Sequence, residues 1–592
     1  MSFRQWFQGL RLSLARLPVG GTPSEGPVHA YRDPWKGDPE QGARLIGGRF
    51  RFDRQDYRLP HGDWERGPWP APAREWLHGF SWLRDLRALG SDEARLTARA
   101  LVQDWLSHPP TDPLIRNACV TGSRLASWLS NHEFCLASAD RQLQHRLMER
   151  MLLEGRTIAA LLPLPPQGWC GLTALRGLLA AAMAMPEHTG FMSRYLRYLP
   201  AELDRLILSD GMVAERSPEA QFRVARELAE MSVMFRTAHA SVPPDIETAL
   251  DKVCPVLRAF CHGDGALAVF NGANERSADE VDDVLALGAR QKLIAPAMAR
   301  GKFSRLGLGK SLLIVDSGRP AAAGFDRTAH AGTLSFEFSH HRHRLFVNCG
   351  SAMTGPWEEA MRSSAAHTVL VAGGLSSTDF GPDGHVTRRP PHVTAEHQTN
   401  GEAHWLSLSH DGYHAPLGVK WTRHLYLGDE GEDFRGQEIL EGEREVDFAI
   451  RFHVHPDVWV LPDDEDIILR AGGLIWRFRQ RGGAMRLEDD VYLGRGQREV
   501  TKQIVITPLH VQPAPVEETS VEKTGEAGNN DAAGQAAPEA AAEQSGKAAD
   551  APKAETAGEA PATTSVTRKA TPRKVRKLTH QTVTWLLERI PE

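Results

Sequence analysis

Between Pro72 and Leu287 the apolar residues return every three or four positions, as in Trp76, Phe80, Leu83 and Leu86, in Leu101 and Trp105, and in Leu125, Trp128 and Leu129. That period predicts a succession of helices. Pro109-Pro110, the stretch from Pro163 to Gly168, and Pro243-Pro244 punctuate it. After about Lys302 the period falls to two. The runs SLLIVDS, TLSFEFS, HRLFVNCG, HTVLVAG, HWLSLSH, HLYLG, DFAIRFHVH, DIILRAG and LIWRFRQ alternate apolar with polar residues and stop at Gly, Asp or Pro. The pattern predicts a large all-α half followed by a large antiparallel β half.

One stretch follows neither period. From Pro513 to Lys577 the chain is Ala, Glu, Pro, Lys, Thr and Gly without an aromatic residue. It cannot bury enough apolar surface to offset chain entropy, and disorder is expected. Residues 513–567 carry ten acidic and three basic side chains, and Arg568 to Lys577 carry six basic ones. The two blocks nearly cancel, and a solvated linker explains them better than a nucleic-acid or lipid contact. REVTKQIVITPLHV before it and HQTVTWLLERI after it both read as strands. The stretch is therefore expected to be an insertion ahead of the last strand.

At 592 residues the chain exceeds one ordinary core, and several domains are expected. A net charge of −6 argues against nucleic acid as the main partner, because phosphate binding needs a concentrated basic face. No apolar run of about 18 residues occurs, so no conventional spanning helix is expected. The most apolar stretch, Gly171 to Met185, carries Arg176. Arg4, Arg11 and Arg16 interrupt the N-terminus, which lacks the apolar core of a secretory signal. The six cysteines form no CxxC pair and read as buried thiols, with at most one or two bridges.

The richest chemistry lies between Asp326 and Gly373. His330 precedes one strand, Asn348 ends the next, and His367 opens a third. Adjacent antiparallel strands can bring these together, and two imidazoles with an oxygen donor suit a zinc ion in a structural role.

The same stretch resembles the heparinase II/III family of polysaccharide lyases. The resemblance rests on His330-Ala331-Gly332-Thr333-Leu334-Ser335-Phe336, Val347-Asn348-Cys349-Gly350, and the segment from Met361 through His367 to Val369. Ser409-His410-Asp411-Gly412-Tyr413, Arg423-His424-Leu425 and Arg451-Phe452-His453-Val454-His455-Pro456 continue it. In the α half it extends to Leu77 through Leu86, Asp210 through Pro218, and His262 through Gly272. It spans residues 45 to 510 and the final strand. The fold it implies is an α+β multidomain chain, an N-terminal incomplete (α/α) toroid followed by a C-terminal antiparallel β-sandwich. The domains expected are an N-terminal extension over 1–44, the toroid over 45–300, the sandwich over 301–512, the insertion over 513–577, and a last strand over 578–592.

The activity the resemblance implies is β-elimination at a uronic acid. A lyase must stabilise the enolate that develops when the weakly acidic C5 proton leaves. It also needs a base and an acid within hydrogen-bond reach. Tyr413 stands in a family-like motif and is the candidate base or acid, although a tyrosine at the sandwich edge fits equally. Asn131 and His132 are candidates to neutralise the sugar carboxylate, and a helix C-cap explains Asn131 as well. Arg216 is a candidate fork for an acidic sugar, against a structural role. Trp82, with Trp64, Trp69 and Trp76, is a candidate stacking platform, or core. The chain departs from the family at Thr328, Asn348 and Ala220, where His, Asp and Tyr stand in other members.

Three readings follow: a lyase on an acidic polysaccharide, a catalytically weakened glycan-binding or biosynthesis-associated protein of the same fold, and a glycoside hydrolase using carboxylates such as Glu215, Asp210 or Asp264. The resemblance points to the cell envelope, and the missing signal to the cytoplasm. Neither the glycan nor the oligomeric state is encoded in any motif.

Overall fold

The computed structural model describes residues 11–13, 15, 25–59, 64–65, 67–509 and 579–590. The stretch expected to be disordered lies outside them, as does most of the first 24 residues.

Among the described residues eleven α-helices of six or more residues build the first half: α1 (Pro39–Ile46), α2 (Ala71–Gly79), α3 (Leu83–Leu89), α4 (Asp92–Ser107), α5 (Ala118–Ser130), α6 (Arg141–Leu161), α7 (Cys170–Ala184), α8 (Gly190–Leu206), α9 (Pro218–Thr237), α10 (Pro244–Ala259) and α11 (Ala278–Gly288). Side chains that accept from the first-turn N–H groups start several of them: Ser91, Asn117, Asp140 and Ser217 each cap the N–H three residues on. Helix α7 is buried on nearly every face, as its uniformly apolar sequence requires of a helix ringed by others. Arg176, its one charge, pairs with Glu227 at 2.8 Å and Glu230 at 2.5 Å on α9. Tyr31 and Trp35 each donate to Glu230 at 2.6 Å. Residues 28–35, expected as part of a separate extension, are thereby tied into the toroid. The helical spacing through Trp76, Phe80 and Leu83 spans two helices: Phe80 takes φ 59° at the end of α2 and packs among Trp64, Trp82, Trp105 and Trp128.

A small hairpin, β1 (Arg49–Phe52) and β2 (Gln55–Arg58), follows α1. The second half is a sandwich made of β3 (Phe303–Leu308), β4 (Ser311–Asp316), β5 (Phe336–His340), β6 (His343–Val347), β7 (Leu370–Ala372), β8 (Asp379–Phe380), β9 (Val386–Arg388), β10 (Val393–Thr399), β11 (His404–His410), β12 (Val419–Gly428), β13 (Asp433–Gly442), β14 (Phe448–Val454), β15 (Trp459–Asp463), β16 (Asp466–Ala471), β17 (Leu474–Arg481), β18 (Gly483–Tyr492), β19 (Glu499–Pro508) and β20 (Thr579–Ile590). One sheet runs β10-β11-β12-β13-β20-β17-β16-β15, and the other β18-β19-β14-β6-β5-β4-β3 with β7 on β14. Every pairing is antiparallel. This is a helical toroid followed by an antiparallel sandwich, and together they form one compact unit with the last strand.

The sandwich core centres on Trp585 of β20, which stacks with Phe336 and Phe478 and meets Phe434 and Phe452 edge-on. Opposite it stands Gly436, where a Cβ would fall 2.1 Å from the indole. Beneath the aromatics lies the carboxylate of Glu438. It accepts from Trp421 at 2.8 Å, Arg423 at 2.8 Å and Trp585 at 3.1 Å, so a buried charge is fully bonded. The Arg423 of the family-like motif is therefore a core clamp.

Because β20 lies between β13 and β17, a chain truncated after residue 509 loses an interior strand. The expected outcome is no cooperative unfolding of the sandwich in urea, while Trp585→Ala in the full chain costs about 3–5 kcal/mol.

Candidate functional site

Arg216 holds the seam between toroid and sandwich. It follows the loop after α8 at φ 53°, and its guanidinium crosses to the sandwich. Nε donates to the Gly301 carbonyl at 2.8 Å, Nη2 to Lys302 at 3.0 Å and to Asp316, and Nη1 to the Arg319 carbonyl. The face of Phe303 lies 5.0 Å beneath it. The other Asp316 oxygen accepts from Asn271 Nδ2 at 3.1 Å, which also donates to the Arg216 carbonyl at 2.9 Å. Asn271 Oδ1 in turn accepts from the His330 N–H at 3.2 Å. Arg216 was a candidate fork for a sugar. The structure buries it and points all its donors at protein acceptors.

His330 and His367 do meet, Nδ1 to Nε2 at 3.2 Å, with His367 Nδ1 donating to the Ser363 carbonyl at 2.8 Å. Burial pushes the His367 imidazole down to about 4 and His330 well below its usual range, His367 adding to the effect on His330. Asn348 does not complete a three-ligand set. Its Nδ2 donates to the Val269 carbonyl at 3.0 Å and faces Glu337 at 3.4 Å, while Oδ1 accepts from the Thr368 N–H at 3.2 Å. Glu337 is itself fully buried and accepts from His262, Val269 and Asn348. The amide is thus part of the knot that ties β5 and β6 to the end of the toroid, and the imidazole pair is left as two ligands.

Tyr413, the candidate base, lies in the sandwich core with no exposure, and its hydroxyl donates to the Leu370 carbonyl at 2.9 Å. Burial raises its phenol far above the usual range. Trp82 is also fully buried and donates to the Leu77 carbonyl at 2.8 Å, so neither reaches a sugar. Asn131 closes α5: Nδ2 donates to the Ser127 carbonyl at 2.9 Å, and Oδ1 accepts from Arg87 at 3.2 Å. Next to it the half-buried His132 keeps its Nε2 without a partner, and burial lowers its pKa.

A cluster on the toroid side gathers around Glu215, one of the carboxylates that the sequence offered, with partners that it did not. Glu215 accepts from the Trp169 N–H at 3.3 Å through Oε1, while Oε2 is buried and unpartnered. Burial pushes its carboxyl up to about 8, so at neutral pH it is a proton donor. Gly168 makes room for it, since a Cβ there would stand 1.9 Å from Oε1. Burial also raises Glu75, opposed by Arg327 from the sandwich half and by Asn117, which donates to Glu75 at 3.4 Å. The Cys170 thiol touches Cys119 and is raised by contact with it, by burial, and by the charges of Glu215 and Glu75. Arg223 lies over Trp169 at 4.7 Å. Only Glu215 sits in a motif. The others converge from α2, α5, α7 and α9 without any spacing to announce them.

A second concavity lies on the outer face of the sandwich, a groove of about 1430 Å³. Strand register sets a row across five strands: Trp405, Tyr426, Arg435, Leu586, Arg479. The next outward row is Ser407, His424, Gln437, Thr584, Arg481. Trp405 is 41% exposed, its ring 5.4 Å from Tyr426, and Arg435 covers Tyr426 at 5.7 Å.

These elements match known proteins. The family model described as Heparinase II/III-like, C-terminal covers residues 290–532, the β half. The fold of the whole described unit is that of heparinase III, with a TM-score of 0.65 at 13% identity over 84% of this chain and 86% of that one. The β half is thereby related to the heparinase II/III family. Its structure also resembles a mutant of heparan sulfate lyase HepC from Pedobacter heparinus (TM-score 0.54, 11% identity, 99% and 88% covered). The Streptomyces coelicolor chondroitin AC lyase, solved with chondroitin sulphate, is similar at TM-score 0.51 and 10% identity, with 86% and 80% covered. In sequence this heparinase II/III relative is 27% identical to FtsZ-localized protein C of Caulobacter vibrioides, over 85% of this chain and 90% of that one. Among the described residues no helix is long and apolar enough to cross a membrane.

Two outcomes follow. Arg216→Ala strands the Asp316 carboxylate in the seam and is expected to cost about 3–5 kcal/mol in denaturant unfolding. Glu215 has a folded pKa of about 8 against an ordinary value near 4.5, so it opposes folding increasingly as pH rises through that window. Glu215→Gln is therefore expected to stabilise by about 3–5 kcal/mol at pH 8 and by nothing below pH 4.5, read as stability against pH.

Proposed function

We propose that this chain is a glycan-binding protein built on a polysaccharide-lyase scaffold, and that it holds an acidic, uronate-bearing polysaccharide along the outer groove of the sandwich. The observation that carries this is the pair of cross-strand rows. Trp405 and Tyr426 offer apolar ring faces for sugar stacking. Gln437, Ser407 and Thr584 stand beside them as hydrogen-bonding groups for hydroxyls. Arg481 is exposed and makes no ion pair among the described residues, which leaves its guanidinium for a carboxylate. The lyase machinery supports the same reading from the other side, because Tyr413 and Arg216 have their polar atoms bonded within the protein. The Caulobacter relative is named for localising with FtsZ. A place in the cell is what a binding protein confers, and a fluorescent fusion of this chain is expected to co-localise with FtsZ.

A second reading, β-elimination of the same polymer, is favoured by the unpartnered Nε2 of His132 and by the protonated Glu215, a free base and a proton donor on the toroid.

One panel separates the two. Purified protein is mixed with heparan sulfate, chondroitin sulfate, alginate and a glucuronan, with binding read by calorimetry and cleavage by the ultraviolet absorbance of the unsaturated uronate. Binding without new absorbance, weakened about tenfold or more by Trp405→Ala and by Arg481→Ala, is the expected result. Absorbance growth that His132→Ala abolishes and Trp405→Ala spares would establish the lyase and overturn the binding reading.

A further inference from the structure

Beside the imidazole pair, on the sandwich alone, three side chains from three strands meet at one point. Cys349 follows β6, His453 lies on β14 and Asp490 on β18. Cys349 Sγ is 3.1 Å from His453 Nδ1, Asp490 Oδ2 is 2.6 Å from the same nitrogen, and sulfur and oxygen are 3.7 Å apart. Among the described residues this is the one group of three His, Cys, Asp or Glu ligand atoms all within 4.8 Å of one another.

The arrangement differs from a nucleophile triad, in which thiol and carboxylate occupy opposite ring nitrogens. Here both face Nδ1. Nε2 points at the His367 carbonyl at 3.1 Å, and a carbonyl only accepts, so Nε2 carries the hydrogen. An imidazole held by a carbonyl through one nitrogen presents the other as a ligand, the usual support of a metal-bound histidine. Nδ1, a carboxylate oxygen and a sulfur then converge, held together by hydrogen bonds whose hydrogen a metal ion can replace. Met361, Ala366 and Leu493 pack around Cys349. Burial, and after it the Asp490 charge, hold the thiol well above its usual range, so the sulfur stays protonated until a stronger cation replaces its hydrogen.

We propose that Cys349, His453 and Asp490 bind a divalent ion of the zinc class. Sulfur and imidazole nitrogen select such ions over calcium or magnesium. Zinc bonds of about 2.3 Å to sulfur and about 2.0–2.1 Å to nitrogen and oxygen set tetrahedral ligand atoms about 3.3–3.6 Å apart. The Cys349 to His453 spacing needs a shift of a few tenths of an ångström, and the half-buried Asp490 carboxylate opens from 2.6 Å by rotation. Binding replaces the thiol hydrogen with a sulfur–metal bond and releases the proton to solvent. A fourth position remains for water or another exogenous ligand.

The test uses the full chain, stripped with a chelator and titrated with cobalt(II) and then zinc. The expected result is one equivalent bound, a near-ultraviolet sulfur-to-cobalt charge-transfer band, and displacement of cobalt by zinc. Cys349→Ser removes the band, Asp490→Asn weakens binding, and His330→Ala leaves both unchanged. Should Cys349→Ser fail to fold, alkylation of the wild-type chain in urea just below its unfolding midpoint, where buried thiols open to reagent, decides: zinc slows labelling of Cys349 by iodoacetamide in peptide mapping more than that of the other five cysteines. A wild-type titration without the band, a band that survives in folded Cys349→Ser, or no zinc protection at Cys349 would overturn the site. So would loss of stoichiometric binding in His330→Ala, which would move the ion to the imidazole pair.

Discussion

The buried ion pair between Arg216 and Asp316 is the constraint on which the rest of the site depends. A guanidinium withdrawn from water is tolerated only when its donors are satisfied, and Arg216 finds those acceptors across the seam, at Gly301, Lys302 and Asp316. Asn271 reads out the same pair, bonding the Asp316 carboxylate with its amide hydrogens and the His330 backbone with its oxygen. The toroid, the first strands of the sandwich and the imidazole pair therefore take one relative arrangement. Glu337 repeats the device by joining His262 of the toroid to Asn348 of the sandwich.

That rigidity has a chemical consequence. The side chains that the sequence offered for a uronate are drawn into the frame: Arg216 into the seam, Tyr413 into the sandwich core, Asn131 into a helix end. What stays available is differently placed. Glu215 carries a proton at neutral pH because the Trp169 N–H and the charge of Arg223 only partly offset its burial, and His132 retains a bare ring nitrogen. Across the sandwich, aromatic and arginine side chains fall into line because antiparallel register puts every second residue of each strand on one face. A scaffold shared with lyases thus carries a groove lined by Trp405, Tyr426 and Arg481 on the face of one sandwich sheet.

Much of the architecture was legible as periodicity. The switch from three-to-four spacing to strict alternation near Lys302 coincides with β3, and HQTVTWLLERI forms the strand expected after the insertion. Other elements escaped for identifiable reasons. Phe80 fits a helical period yet ends α2 with a left-handed turn, because its ring is claimed by four neighbouring aromatics. Strands β15 and β18 have polar or exposed faces that blur the alternation. At the site, His330 and His367 do come together as their flanking strands suggested, whereas Asn348 turns toward Glu337, a partner eleven residues back whose burial no local pattern reveals.

By itself the sequence determined the two halves, the order of most strands, the position of the insertion and the kinship with heparinase II/III proteins. These follow from local spacing and short motifs, which each residue carries wherever it is placed. Only the tertiary structure decided which polar groups are free. The fate of Arg216, Tyr413, Glu215 and Cys349 depends on acceptors and neighbours between 43 and 141 residues away in the chain. Desolvation and hydrogen-bond satisfaction are properties of that assembled surrounding, and no periodicity along the chain records them.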